Sequence, residues 1–232
     1  MRVALVAVAV VLLGAPRPAV AGGCRTLTIS ASPLSTKATV VPGGGVLIGW
    51  SNDGDDDAPA LDAVGRWGFT AGTPSVAAKA EVLAPGLTVI RPASTGARRL
   101  TLRDDHGKKQ VAVTIVRKAP RPLPAPVATV ETRRFNGGPR GGSSASAVAR
   151  FAAVPGGAVA VIAYDARGNA LAWARVGGSR EVGLASTPGR CRPNPPGLDV
   201  PSAGQQLQLA WVDRHGRVSA RSATIEVTEA TP

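Results

Sequence analysis

The sequence predicts an all-β chain built as two sandwich domains in tandem. Three observations predict it. Short apolar runs of period two recur about every ten residues, with Gly, Pro, Asn or Asp between them. Three turns share the pattern D-x-x-G between such runs. Pro120, Pro122, Pro124 and Pro126 stand at alternate positions and part the runs into two groups.

The first element is not a strand. "MRVALVAVAVVLLGAPRPAVAGG" reads as a secretory signal. Arg2 supplies the positive start. Residues 3–13 are unbroken and apolar, too short to span a bilayer as a settled helix. Residues 14–18 break the run, and Ala19, Val20 and Ala21 give a small-x-small cleavage site. Cleavage is expected after Ala21, leaving 211 of the 232 residues and a bacterial protein secreted or held in the periplasm. A second reading makes Cys24 the acylated first residue of a lipoprotein. "AGGC" departs from that pattern, because Ala21 stands in the usual place of Leu and Arg17 interrupts the approach. No later stretch approaches transmembrane length.

The first domain is expected over 22–118. "RTLTISA" (25–31) sets Leu27 and Ile29 against polar neighbours, and "GVLIGW" (45–50) is a short apolar run. "GLTVIR", "RRLTLR" and "QVAVTIV" continue with period two. Residues 119–126 follow as a Pro-rich linker. Proline fixes φ and pushes its predecessor toward extended geometry, so neither a helix nor a central strand forms there. As a polyproline-like spacer it reaches about 25 Å. The second domain is expected over 127–232. "VATVETRRF", "SAVARFAAV", "AVAVIAY", "ALAWARV", "QLQLAWV" and "SATIEVT" are its strands. Alanine favours helix, but its Val partners and flanking glycines tilt these runs toward strand.

Each D-x-x-G turn, at Asp104, Asp165 and Asp213, fits a type I turn followed by a left-handed Gly. Both halves close on a D-x-H-G hairpin, 98–117 and 205–228, which suggests a duplicated architecture. Many short antiparallel strands in about 100 residues resemble the immunoglobulin or fibronectin type of sandwich. Parity names the core. Leu207, Leu209 and Trp211 share one face against Gln206 and Gln208. Leu171 pairs with Trp173, and Trp50 with Val46 and Ile48.

The net charge of +12 falls to +10 once Arg2 and Arg17 are lost. The cations form no run, and aromatics are 3% of the chain, too few for a base-stacking platform. Nucleic acid is therefore excluded as the expected partner. Asp53, Asp55 and Asp57 alternate like the first ligands of a calcium loop. Ala58 then stands for the required Gly and Val64 for the bidentate Glu, and only Asp62 could compensate. A solvated acidic loop is the other reading, and calcium is the one cofactor in question. Trp67, in "GRWGF", sits among glycines, as a core anchor or as a glycan-stacking aromatic. Cys24 and Cys191 form a disulfide across the halves, stay free, or bind another chain. His106 and His215 sit at turns. No G-x-S-x-G, H-E-x-x-H or phosphate loop is present, and no catalytic residue is assigned.

The expected function is a non-catalytic binding or structural protein of the envelope or exterior, with a protein or glycan partner. It would act through a sheet edge or through loops 51–66, 136–147 and 186–197. A glycan-binding module is the alternative. A hydrolase stands behind both and needs His106 or His215 to meet acids in a pocket.

Overall fold

The computed structural model describes residues 29–35, 37–52, 70–71, 78–92, 96–104, 107–136, 143–186 and 201–230. Among these there is no helix, and the chain is all-β, as expected. The expected signal (1–21) lies outside the described residues.

The first half supplies β1 (Ile29–Pro33), β2 (Lys37–Val40), β3 (Val46–Asn52), β4 (Thr70–Ala71), β5 (Ala78–Ala84), β6 (Leu87–Pro92), β7 (Gly96–Asp104) and β8 (Gly107–Ile115). They form two four-stranded sheets, β1-β3-β6-β5 and β2-β8-β7-β4. The second half supplies β9 (Ala128–Asn136), β10 (Ser143–Phe151), β11 (Ala158–Asp165), β12 (Ala170–Arg175), β13 (Glu181–Ser186), β14 (Gln206–Asp213) and β15 (Ile225–Glu229). These make one curled sheet, β12-β11-β14-β15-β9-β10-β13. Among the described residues only β2–β8 and β15–β9 pair in parallel.

Three apolar clusters lie between the layers. The first joins Val46, Ile48 and Ile90 of one sheet to Val40, Leu100, Val111 and Val113 of the other. The second fills the curled sheet, where Val130, Ala149, Phe151 and Leu184 meet Val161, Leu207, Leu209 and Trp211. The Phe151 and Trp211 rings stack there at 4.4 Å, tilted by 42°. The third joins the two halves. Leu47, Ala84, Leu87 and Val89 meet Ala160, Ile162, Tyr164, Ala210 and Val212. Adjacent residues of one strand thus enter different clusters, as period two requires: Leu47 lies between Val46 and Ile48, and Ile162 between Val161 and Ala163. Four layers result. The β2-β8-β7-β4 sheet and the β9-β10-β13 strands lie outermost.

Gln206 and Gln208 take the face of β14 opposite Leu207, Leu209 and Trp211, as parity places them. Gln206 is exposed, but Ala210 and Val212 are buried against the first half. Several expectations change here. Leu171 and Trp173 do not share a face. A β-bulge shifts the β11–β12 register between Ala163 and Tyr164, so Leu171 turns to the second cluster and Trp173 to the third. The expected loop 136–147 is largely strand at its ends, because Ser143 pairs with Asn136. Hairpin 205–228 keeps its turn, but beyond it the outgoing chain leaves the ladder. Ser219 and Ser222 stand in for it. Their backbone N–H groups donate to the carbonyls of Trp211 (2.9 Å) and Leu209 (2.7 Å). Their hydroxyl oxygens accept from the N–H groups of Trp211 (3.0 Å) and Leu209 (2.9 Å).

Residues 117–127 carry no regular structure, as the prolines dictate. Leu123 is half-buried and Pro126 buried, while Pro120, Pro122, Pro124, Ala125 and Val127 are exposed. The halves that this segment connects are packed against each other through the third cluster.

Candidate functional site

The structure concentrates its polar chemistry at the junction of the halves, around turn 213–217. Asp213 opens the turn and is buried. The Gly216 N–H donates to its carbonyl at 2.9 Å, and Gly216 takes the left-handed φ of 73° that the D-x-x-G pattern predicts. Asp213 Oδ1 accepts from the backbone N–H of His215 (2.8 Å) and of Arg217 (3.0 Å). Its Oδ2 takes Arg217 Nε at 2.8 Å and Nη2 at 2.6 Å. The remaining Arg217 donor, Nη1, reaches the Pro120 carbonyl at 2.8 Å. One buried carboxylate therefore orders an arginine that pins the Pro-rich segment.

The same turn grips the first half. His215 Nδ1 lies 2.6 Å from the Thr39 carbonyl. A carbonyl only accepts, so Nδ1 carries the proton in this contact. The Gly45 N–H donates to the His215 carbonyl at 2.7 Å. Gly216 cannot be larger, since a Cβ there would lie 2.7 Å from Val89 Cγ2 and 2.9 Å from the Gly45 oxygen. Gly49 of β3 plays a similar part. A Cβ on it would lie 3.0 Å from the ring of Trp173, which packs on the third cluster.

Tyr164 sits at the rim of that cluster with the Arg221 guanidinium 4.2 Å above its ring. Burial pushes its phenol above the ordinary value, and the charge of Arg221 partly offsets this. Asp165 follows it and caps the next turn. The Asn169 side-chain amide, with the N–H groups of Asn169, Arg167 and Gly168, holds its carboxyl below the ordinary range.

Of the residues expected to carry chemistry, His215 is the one placed here, and its partners are backbone groups of the first half. Asp53, Asp55, Asp57, Asp62, Trp67, His106, Cys24 and Cys191 lie outside the described residues. Among the described residues no three His, Cys, Asp or Glu side chains gather as metal ligands, and no helix is long and apolar enough to cross a membrane. The sequence reading missed Gly49, Trp173 and Arg217 as junction residues. The signal was the near-continuous apolarity of 158–164 and 209–212, which marks strands buried on both faces.

No family model and no curated protein matches the chain. Among solved structures it is similar to domains 4-9 of the surface layer protein SbsC, at 12% identity and TM-score 0.31, over 87% of this chain and 31% of that one. It is similar to the glycoside hydrolase domain of Endo-D from Streptococcus pneumoniae R6, at 12% identity and TM-score 0.31, over 69% of this chain and 37% of that one. It is also similar to domains 5-6 of SbsC, at 12% identity and TM-score 0.31, over 90% of this chain and 99% of that one. The chain thus spans about a third of the first two. Likenesses this distant do not bear on its activity.

Proposed function

We propose that the chain is an exported, non-catalytic structural or binding protein. In this reading two β-sandwiches, 22–118 and 127–232, are locked into one rigid block behind a leader cleaved after Ala21. The observation that carries it is the third cluster, an apolar contact between two faces that each already cover a core of their own. A contact of this kind removes interdomain freedom, which suits a scaffold.

Strand order supports the sandwich assignment. In the first half, β1-β3-β6-β5 facing β2-β8-β7-β4 has the order of an immunoglobulin ABED sheet over its CFG sheet, with β2 added beside the last strand. In the second, β9-β10-β13 faces β12-β11-β14-β15, the three-on-four division of a fibronectin-type domain.

The test is expression of the full chain with its own leader in a bacterial host, followed by compartment fractionation, N-terminal sequencing and small-angle scattering. The expected product starts at Gly22, leaves the cytoplasm and scatters as one compact body. Cytoplasmic retention with the leader intact would defeat the export reading. Scattering from two separated lobes would defeat the rigid block.

A further inference from the structure

Two cations follow each other directly at four places in the chain: Arg98-Arg99, Lys108-Lys109, Arg117-Lys118 and Arg133-Arg134. Three of these pairs lie inside strands. Arg98 and Arg99 of β7 pair with Val113 and Ala112 of β8, and Lys108 and Lys109 of β8 pair with Arg103 and Leu102 of β7. Arg133 and Arg134 of β9 pair with Ser146 and Ala145 of β10. Ladder hydrogen bonds hold these backbones, so an endopeptidase would have to open the sheet before it could take them.

Arg117-Lys118 differs. Both residues are exposed, as are Ala119, Pro120 and Arg121, and all five lie outside any strand. The nearest backbone tethers fall on either side. The Val116 N–H donates to the Val40 carbonyl at 2.9 Å, and the Pro120 carbonyl accepts from Arg217 Nη1 at 2.8 Å. Among the described residues no backbone hydrogen bond falls on 117–119. This stretch can therefore enter a binding cleft as an added strand, its main chain free to pair with the cleft.

We propose that the Arg117–Lys118 bond is a processing site for an endopeptidase with acidic subsites on both sides of the scissile bond. Water adds across the bond. Its oxygen joins the Arg117 carbonyl carbon, and the Lys118 nitrogen leaves with a proton. The new carboxylate and the new ammonium both stand on exposed residues, where water solvates them. The contacts that join the halves do not run through the cut. The Gly45 N–H donates to the His215 carbonyl at 2.7 Å, and His215 Nδ1 donates to the Thr39 carbonyl at 2.6 Å. Leu47, Leu87 and Val89 stay packed on Ile162, Ala210 and Val212. The product is a two-chain protein whose halves remain stacked, and its integrity rests on the rigid block proposed above. A covalent link between the halves thereby becomes a reversible one.

The test is digestion of the purified full chain by an omptin-class endopeptidase, which cuts between two consecutive basic residues. Intact-mass spectrometry maps the products. The folded wild type is cut between Arg117 and Lys118, and the three strand pairs are cut at least about tenfold more slowly. All four pairs are cut once urea unfolds the chain. The R117Q/K118Q variant loses the product of the folded chain. After the cut the two fragments co-elute in size-exclusion chromatography. First cleavage of the folded chain at a strand pair overturns the site. So does a folded chain that resists while the unfolded chain is cut. Fragments that elute apart, from an uncut chain that scatters as one body, overturn the two-chain product and leave the rigid block standing. An uncut chain that scatters as two lobes defeats the block, and the cleavage map still decides the site. The wild-type map needs no variant, so a misfolded R117Q/K118Q leaves the test intact.

Discussion

Ile162→Ala tests the stacking of the halves directly. Ile162 is 0% exposed in the third cluster, beside Ala210 on β14 and Trp173 on β12. The change removes three carbons. At about 0.8 kcal/mol per buried carbon the transfer loss is about 2.4 kcal/mol. The cavity left between two rigid sheets adds about 1 to 2 kcal/mol, for a total near 4 kcal/mol. If the second half stood alone, Val161 and Ala163 would face its core and Ile162 would face water. The same change would then cost within about 0.5 kcal/mol. Guanidinium unfolding of the full chain, followed by tryptophan fluorescence, separates these values. Val127→Ala, at a residue 70% exposed, is the control expected near zero. A loss below about 1 kcal/mol for Ile162→Ala, with Val161→Ala clearly destabilising, would refute the buried contact between the halves.

Further outcomes follow from the junction. Arg217→Met leaves the buried Asp213 carboxylate without its cation and costs about 3 to 5 kcal/mol; trypsin then cuts faster after Lys118, next to the released segment. Ser222→Ala removes the acceptor of the buried Leu209 N–H and costs about 1 to 3 kcal/mol by chemical denaturation, whereas a cost near zero would mean that water replaces the hydroxyl. Asp165 has a depressed pKa, so its contribution is complete above its ordinary value of 3.8 and is lost as pH falls through the lower folded value. The melting-temperature difference between wild type and Asp165→Asn should hold at neutral pH and shrink in strong acid. Tyr164 has a raised pKa, so its contribution is complete below 10.0 and is lost as pH rises toward the folded value; Tyr164→Phe should blunt the alkaline loss of stability.

The sequence carried the strands with clean alternation and the turns with fixed chemistry. Leu207, Leu209 and Trp211 are buried together, and the turns at Asp165 and Asp213 close through glycines at φ 87° and 73°. These features are local, so a short window contains them. β2, β4, β5 and β13 escaped because they are short or rich in Ala and Lys, and pairing with neighbours rather than propensity makes them strands. The face of Trp173 was illegible because one bulged residue inverts everything beyond it. The junction was half legible. Apolarity on both parities of 158–164 says that two faces are covered, yet nothing within that run says by what. Only the meeting of Gly49 with Trp173, and of Thr39 with His215, supplies the answer, and those partners lie far apart in sequence.

The prolines acquire a different purpose once the layers are known. β8 belongs to one outermost layer and β9 to the other, so the connection must pass the flank of both inner layers. Three gaps at about 10 Å each require a reach near 30 Å. The eleven steps from Val116 to Val127 supply about 34 Å at the rise of a polyproline helix, with little slack. A helix of the same length would reach only about 17 Å, half the distance. A flexible coil could reach, but it would lose more entropy on docking. Alternating prolines set the extension in advance, and Arg217 holds the strut where it passes turn 213–217. The segment is thus a measured connector along a stacked pair. Replacing Pro122 and Pro124 with glycine should loosen the stack without disturbing either inner core, which scattering together with near-ultraviolet dichroism of Trp211 would reveal.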